Sequence, residues 1–356
     1  MSSFYFWHWR ICVLMRLNKG AFENCSSLTD VVFPDGLEQI CDSAFQNCTA
    51  LSNVSFAGNG KLIRIGTDAF NTCSSLTRLN FPVNLEIIEK SSFQNCAGLT
   101  SIASVENAKL KTVEASAFEG CLSLYDVKLP ESLTSIGKNA FRNCATLNKI
   151  EIPRNVKQLP ENLFYGCGNL TTVTFAERAT GDENDFSAVG KGSFRNCVKL
   201  TNVTLPDTTT QIGTEAFYGC SYLKSFRFPA GLKEIGDSAF ADCEILTGID
   251  IPGGLESLGS SAFMNCKGLT SISIPYAISI VSPNAFYGCV GLKNVTFSQS
   301  LIPSGTTSFV YGSMVRTIGG GAFAGCSGLE TVSLSDGISA INGSAFAGCE
   351  KLNNLT

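Results

Sequence analysis

Sixteen cysteines are the residues of this 356-residue chain that could most readily do chemistry, because thiolates ligate metals, act as nucleophiles and pair as disulfides. Their spacing argues against all three uses. Fourteen of them, from Cys25 to Cys349, each stand three residues after a Phe, and nine of the thirteen intervals between them are 23 residues. No Cys-x-x-Cys occurs, so a zinc site has no support in the spacing. A ladder of one Cys per turn presents parallel side-chain vectors, which suit bridging poorly. The expectation is a row of buried thiols that pack as small hydrophobes. Cys41 and Cys12 lie outside the ladder and are the candidates for an exposed thiol.

The remaining chemical signals are thin. His8 is the single histidine, which argues against imidazole bases and His-ligated metals. Val189-Gly190-Lys191-Gly192-Ser193 looks like a phosphate loop, but Asp185 stands where such a loop needs Gly, and Gly192 where it needs Ser or Thr. No catalytic residue, cofactor or metal site is expected, and the chain is not expected to be an enzyme. Asn-x-Ser/Thr triplets at Asn24, Asn47, Asn53, Asn169, Asn202, Asn294, Asn342 and Asn354 fit glycosylation of a secreted protein. They also fit simple copying of a repeat rich in Asn, Ser and Thr. The formal net charge of -4 supplies no basic footprint for nucleic acid, and no run reaches the ~20 apolar residues of a membrane span. Residues 4–15 are apolar and aromatic but interrupted by His8 and Arg10, and Arg16 and Lys19 follow the run, whereas a secretory signal carries its positive charge before it.

The elements behind this spacing are visible in one unit. Leu124-x-x-Val127-x-Leu129 alternates at period two and reads as a half-buried strand with Leu, Val and Leu inward. Proline follows this strand in eight repeats, Pro34 and Pro130 among them; it donates nothing to a ladder and starts a turn. Leu133-x-x-Ile136-Gly137 reads as a second short strand, and Ala140-Phe141-x-x-Cys144 fits a single helical or 3₁₀ turn with Phe and Cys inward. The Phe-x-x-Cys-x-x-Leu core recurs fourteen times, the mark of a stacked solenoid.

This pattern resembles the BspA-type leucine-rich repeats, whose marks are Ile-Gly-x-x-Ala-Phe-x-x-Cys and Leu-x-x-Val-x-Leu-Pro. The resemblance covers residues 14–356. It implies a leucine-rich repeat solenoid of about fourteen turns, with a parallel ladder on the concave side and second strands and single turns on the other walls. It also implies a surface protein that adheres to a protein or glycan, such as a host matrix component or another cell. An intracellular interaction scaffold is the alternative.

Residues 1–13 are expected to be irregular and residues 14–356 to form one continuous array, truncated at its C-terminal end because it stops inside a strand at Leu355 and Thr356. Two intervals are long, from Cys167 to Cys197 and from Cys289 to Cys326, so insertions are expected near 177–185 and 299–313. The first is polar; the second carries Leu301, Ile302, Phe309 and Tyr311. Insertions often border a binding face. The candidate ligand-binding residues are therefore Phe309 and Tyr311, with the outward strand positions Asp126, Lys128, Lys149, Glu151, Arg227 and Asp250.

Overall fold

The structure is a computed structural model that describes residues 4–5, 14–56, 60–104, 107–177, 186–303 and 309–356. The chain divides into two compact units, Met1–Asp182 and Glu183–Thr356, and each contains seven of the fourteen Phe–Cys turns. Each turn of this parallel-strand β-solenoid contributes to three walls.

The first wall of the first unit is built from the Leu-x-x-Val-x-Leu strands. Arg78–Phe81 and Lys149–Ile152 alternate exposed and buried residues along their length, so Leu79, Phe81, Ile150 and Ile152 enter the core. The strands pair in parallel with matched register, for example Leu79 opposite Ile102 and Ile150 opposite Val173. Phe4–Tyr5 adds a parallel strand beside Asp30–Phe33. Proline ends these strands as expected: the carbonyls of Pro34, Pro82 and Pro130 each accept from the N–H three residues on, at 3.0–3.2 Å.

The second wall of this unit is a sheet of two-residue strands, running in spatial order from Arg16–Leu17 through Gln39–Ile40, Arg64–Ile65, Ile87–Ile88 and Thr112–Val113 to Ser135–Ile136. The Gly that follows it is required by close approach. A Cβ at Gly137 would lie 2.3 Å from the backbone nitrogen of Ala115 in the previous turn. Cys41 takes this position in the second turn. It is buried and accepts from Arg16 Nε at 2.9 Å, so it is not the exposed thiol.

The third wall corrects the expected helical turn. It is a chain of β-turns: Ala44 N–H donates to Cys41, Gln46 to Ser43 and Cys48 to Phe45. Two left-handed residues per turn, such as Ser43 at φ 55° and Asn47 at φ 61°, break any helical run. All fourteen turns repeat both positions, and they are occupied mostly by Asn, Ser, Asp and Gly, the residues that tolerate this backbone best. Turns then stack through their own ladder, with Ser43 N–H on Thr67, Phe45 on Ala69 and Asn47 on Asn71, at 2.7–2.9 Å.

Between the walls runs a column of phenylalanines. In the first unit Phe22, Phe45, Phe70, Phe93, Phe118, Phe141 and Phe164 stack with centroids 5.0–5.9 Å apart and planes within 17°. The cysteines line the same core as free thiols. Cys48, Cys73, Cys96, Cys121, Cys144 and Cys167 each donate their S–H to the Phe carbonyl of the previous turn at 3.1–3.3 Å. That carbonyl already accepts the Cys N–H of its own turn, so the thiol satisfies its second lone pair where no water reaches. This explains a Cys where volume alone would accept Ala or Val.

The second unit repeats the plan. Its phenylalanine column runs from Phe194 to Phe346 at 5.0–5.4 Å. Its second wall includes Gln211–Ile212, Glu234–Ile235 and Ser257–Leu258 in parallel. Its first wall pairs Ser271–Ile274, Asn294–Phe297, Thr331–Val332 and Asn354–Leu355. Between Ser225 and Gly248 that wall thins to a single bridge. The insertion after Phe297 forms an antiparallel pair, Ser300–Pro303 with Phe309–Gly312, in place of an irregular loop.

Candidate functional site

Several outward side chains of the first unit are tied to their neighbours. Lys111 binds Glu86 at 3.1 Å, Arg154 binds Glu131 at 3.2 Å, and Arg64 bridges Asp42 and Glu89. Polar residues one after Phe continue the ladder: Asn71 donates to Gln94, Gln94 to Glu119, and Arg142 reaches Glu119 while covering the Tyr165 ring at 4.7 Å. Such pairs add little stability individually.

Four nominated residues depart from this. Asp126, Lys128, Lys149 and Glu151 line one depression of about 430 Å³ on the first wall, together with Tyr125, Asn148, Thr172 and Thr174. All four charges are exposed, and among the described residues their side chains make no hydrogen bond or ion pair. Tyr125 is 52% exposed beside them, enough to offer a ring face.

The backbone ladder is interrupted beside the depression, as it also is between Asn53–Phe56 and Arg78–Phe81. The ladder holds Asp126–Lys128 to Ser101–Ser104, and Lys149–Ile152 to Thr172–Phe175, but does not join Asp126–Lys128 to Lys149–Ile152. In the flanking turns one carbonyl takes two N–H groups: Thr100 from Tyr125 and Asp126, and Asn148 from Thr171 and Thr172. The corresponding carbonyl of Tyr125 receives neither Asn148 nor Lys149. The strand has lifted, and Val127 and Leu129 are only half-buried where their equivalents Ile150 and Ile152 are buried. The expectation of a fully inward Val127 and Leu129 is corrected accordingly.

The other nominated residues are placed elsewhere. In the second unit Arg227 is engaged with Asp207 at 2.9 Å, and the hydrogen bond from its guanidinium holds the Asp207 carboxyl below its usual range. Asp250 is exposed in the same unit. Phe309 and Tyr311 sit on the second strand of the antiparallel pair, and their side chains lie outside the described residues. Of the polar insertion, residues 178–185 lie outside the described residues. Sequence reasoning missed Tyr125, Asn148 and the two threonines. Their only signal was adjacency to the charged positions.

Among the described residues, no group of three or more His, Cys, Asp and Glu is placed to hold a metal, and no helix is long and apolar enough to cross a membrane. Burial pushes the Cys48 thiol up to about 11 and the Cys326 thiol up to about 12, which keeps them protonated and unreactive. Cys25, at the start of the ladder, is the exposed one; Cys12 lies outside the described residues. Several sequon asparagines are already engaged: Asn47 donates to Asn24 at 2.9 Å, and Asn169 to the Ala145 carbonyl at 2.8 Å.

Comparison with known proteins agrees with this architecture. No curated protein matches the chain. Among solved structures, a leucine-rich repeat protein from Bacteroides ovatus is 25% identical with a TM-score of 0.59, over 90% of this chain and 82% of that one. A leucine rich cell surface protein from Faecalibacterium prausnitzii is 28% identical with a TM-score of 0.50, over 92% and 78%. The pneumococcal vaccine antigen PcpA shares the fold at 19% identity and a TM-score of 0.51, over 92% and 74%. The family described as BspA type leucine rich repeat region matches residues 14–109, 103–186, 187–314 and 304–356. Its repeats are scaffolds and not catalytic folds, and the chain belongs to this BspA-type leucine-rich repeat family.

Proposed function

We propose that this chain is a surface-displayed recognition module that binds a macromolecular ligand through the depression on the first wall of its first unit. The observation that carries the reading is the set of uncommitted polar groups there. Neighbouring charges such as Lys111 and Arg154 are paired turn to turn, whereas Asp126, Lys128, Lys149 and Glu151 meet in one depression beside an interrupted ladder with no side-chain pairing of their own among the described residues. Exposed, unpaired groups converging on a concavity are how binding sites set orientation and specificity. Display at a surface is supported by the Faecalibacterium prausnitzii relative, whose description is a cell surface protein. Adhesion follows if the ligand belongs to another cell or to a matrix.

Two experiments test this. Protease shaving of intact cells that express the native protein should release its peptides before lysis; full protection until lysis refutes surface display and favours the scaffold. Binding to a native matrix extract should fall at least tenfold for the combined Asp126→Ala, Lys128→Ala, Lys149→Ala and Glu151→Ala variant. Arg227→Ala, whose partner is Asp207, should change it less than twofold.

A further inference from the structure

We infer that the ligand of this depression is a neutral glycan, a reading that rests on the site proposed above and names its ligand class. Three features point there. The first is charge: two carboxylates and two ammonium groups surround the space, so no single sign is selected, and a strongly anionic or cationic ligand would meet repulsion from half of them.

The second is the opened ladder. Several Cα atoms of the strands Asp126–Lys128 and Lys149–Ile152 remain within 8 Å of each other. An interposed peptide strand would need the flanking strands ~9.5 Å apart, twice the ladder spacing. The gap therefore cannot take a peptide by strand addition. The Tyr125 carbonyl on one side and the N–H groups of Asn148 and Lys149 on the other have no ladder bond across it, and groups that both donate and accept complement such a pair. Hydroxyls have that dual character, and a saccharide carries them in rows. Asp126, Glu151 and the amide of Asn148 extend the same complementarity.

The third is Tyr125, half-exposed at the rim of the depression. The C–H face of a pyranose packs on an aromatic face, whose π-cloud is negative. A ring beside carboxylates, an amide and threonines therefore supplies both contacts a sugar needs. An apolar peptide anchor would instead find charge on both sides.

The test uses the labelled whole chain on a printed array of neutral, sialylated and sulfated oligosaccharides, and on a matrix extract before and after enzymatic removal of its glycans. Binding to neutral oligosaccharides should change less than threefold between 50 and 500 mM NaCl, because screening acts on net charge. It should fall at least tenfold in Tyr125→Ala and in the Asp126→Asn, Glu151→Gln double variant. Tyr125→Phe, which keeps the ring, should retain most of it. Unchanged thermal melting of each variant separates lost binding from lost folding. Undiminished binding to the deglycosylated extract, still sensitive to the groove variants, overturns the glycan and leaves the recognition site standing. Binding confined to sialylated or sulfated oligosaccharides overturns the neutral ligand. No binding to the array or to either extract by the folded chain overturns the glycan and the recognition site together.

Discussion

Replacing Phe141 by Ala removes one ring from the middle of the phenylalanine column. Phe141 is fully buried and stacks on Phe118 at 5.5 Å and Phe164 at 5.9 Å. Large-to-small substitutions of buried Phe cost ~3–5 kcal/mol, the higher values arising where surroundings cannot collapse into the cavity. Collapse is hindered here. Phe118 is tied through its N–H to Ala140, and Phe141 to Leu163, so the turns keep their spacing whatever side chain they carry. We expect a loss of about 4–5 kcal/mol. Phe22, by contrast, is only half-buried and among the described residues stacks on Phe45 alone; its loss to Ala should cost about 1–2 kcal/mol. Urea unfolding followed by circular dichroism measures both, and hydrogen exchange should show the Phe141 penalty concentrated in adjoining turns, as expected where each turn contacts only its neighbours. Equal costs for the two variants, or a Phe141→Ala cost below about 1.5 kcal/mol, would refute the continuous column as a source of stability.

Three further outcomes follow from the walls. At pH 8 iodoacetamide should label Cys25 in the native chain, while Cys48 to Cys326 react only after denaturation; rapid native labelling of Cys121 contradicts the thiol ladder. Burial raises the Cys48 and Cys326 thiols in the folded state, so their contribution is complete below the unfolded value near 9 and is lost as pH rises toward about 11 for Cys48 and about 12 for Cys326. The urea midpoint should therefore decline from pH 9 to 10.5, and a flat profile contradicts it. Thr72 is a β-branched residue at φ 63°, where most other turns have Asn or Gly, so Thr72→Asn should stabilise by about 1 kcal/mol; a lower melting temperature would count against backbone strain at that position.

The strands of both walls were legible because burial there follows a period of two, which Leu79, Phe81, Ile150 and Ile152 obey. The third wall was misread for a physical reason. Phe and Cys three residues apart satisfy helical spacing as well as a chain of β-turns. The deciding signal was the Asn, Ser or Gly standing just before Ala and just before Cys, as in Ser43 and Asn47 or Asn139 and Asn143. Cys41 was nominated as exposed because it breaks the Ile-Gly pattern, yet position in the turn, not residue type, decides burial. The site was half legible. Asp126, Lys128, Lys149 and Glu151 were identified as outward from alternation alone. Where the ladder opens was not, since Leu124-x-x-Val127-x-Leu129 is as regular in sequence as the turns that pair fully. Pairing between turns depends on backbone positions more than 20 residues apart, which no local pattern reports.

Recognition concentrated on the first wall of the first unit has a direct consequence for ligand binding. Surface plasmon resonance on immobilised native matrix extract tests it most directly, comparing the groove variant Asp126→Ala, Glu151→Ala with the second-unit variant Arg227→Ala, Asp250→Ala. We expect at least a tenfold loss for the first and less than a twofold change for the second. Equal losses, or a loss confined to the second, would place recognition outside the opened ladder and contradict it.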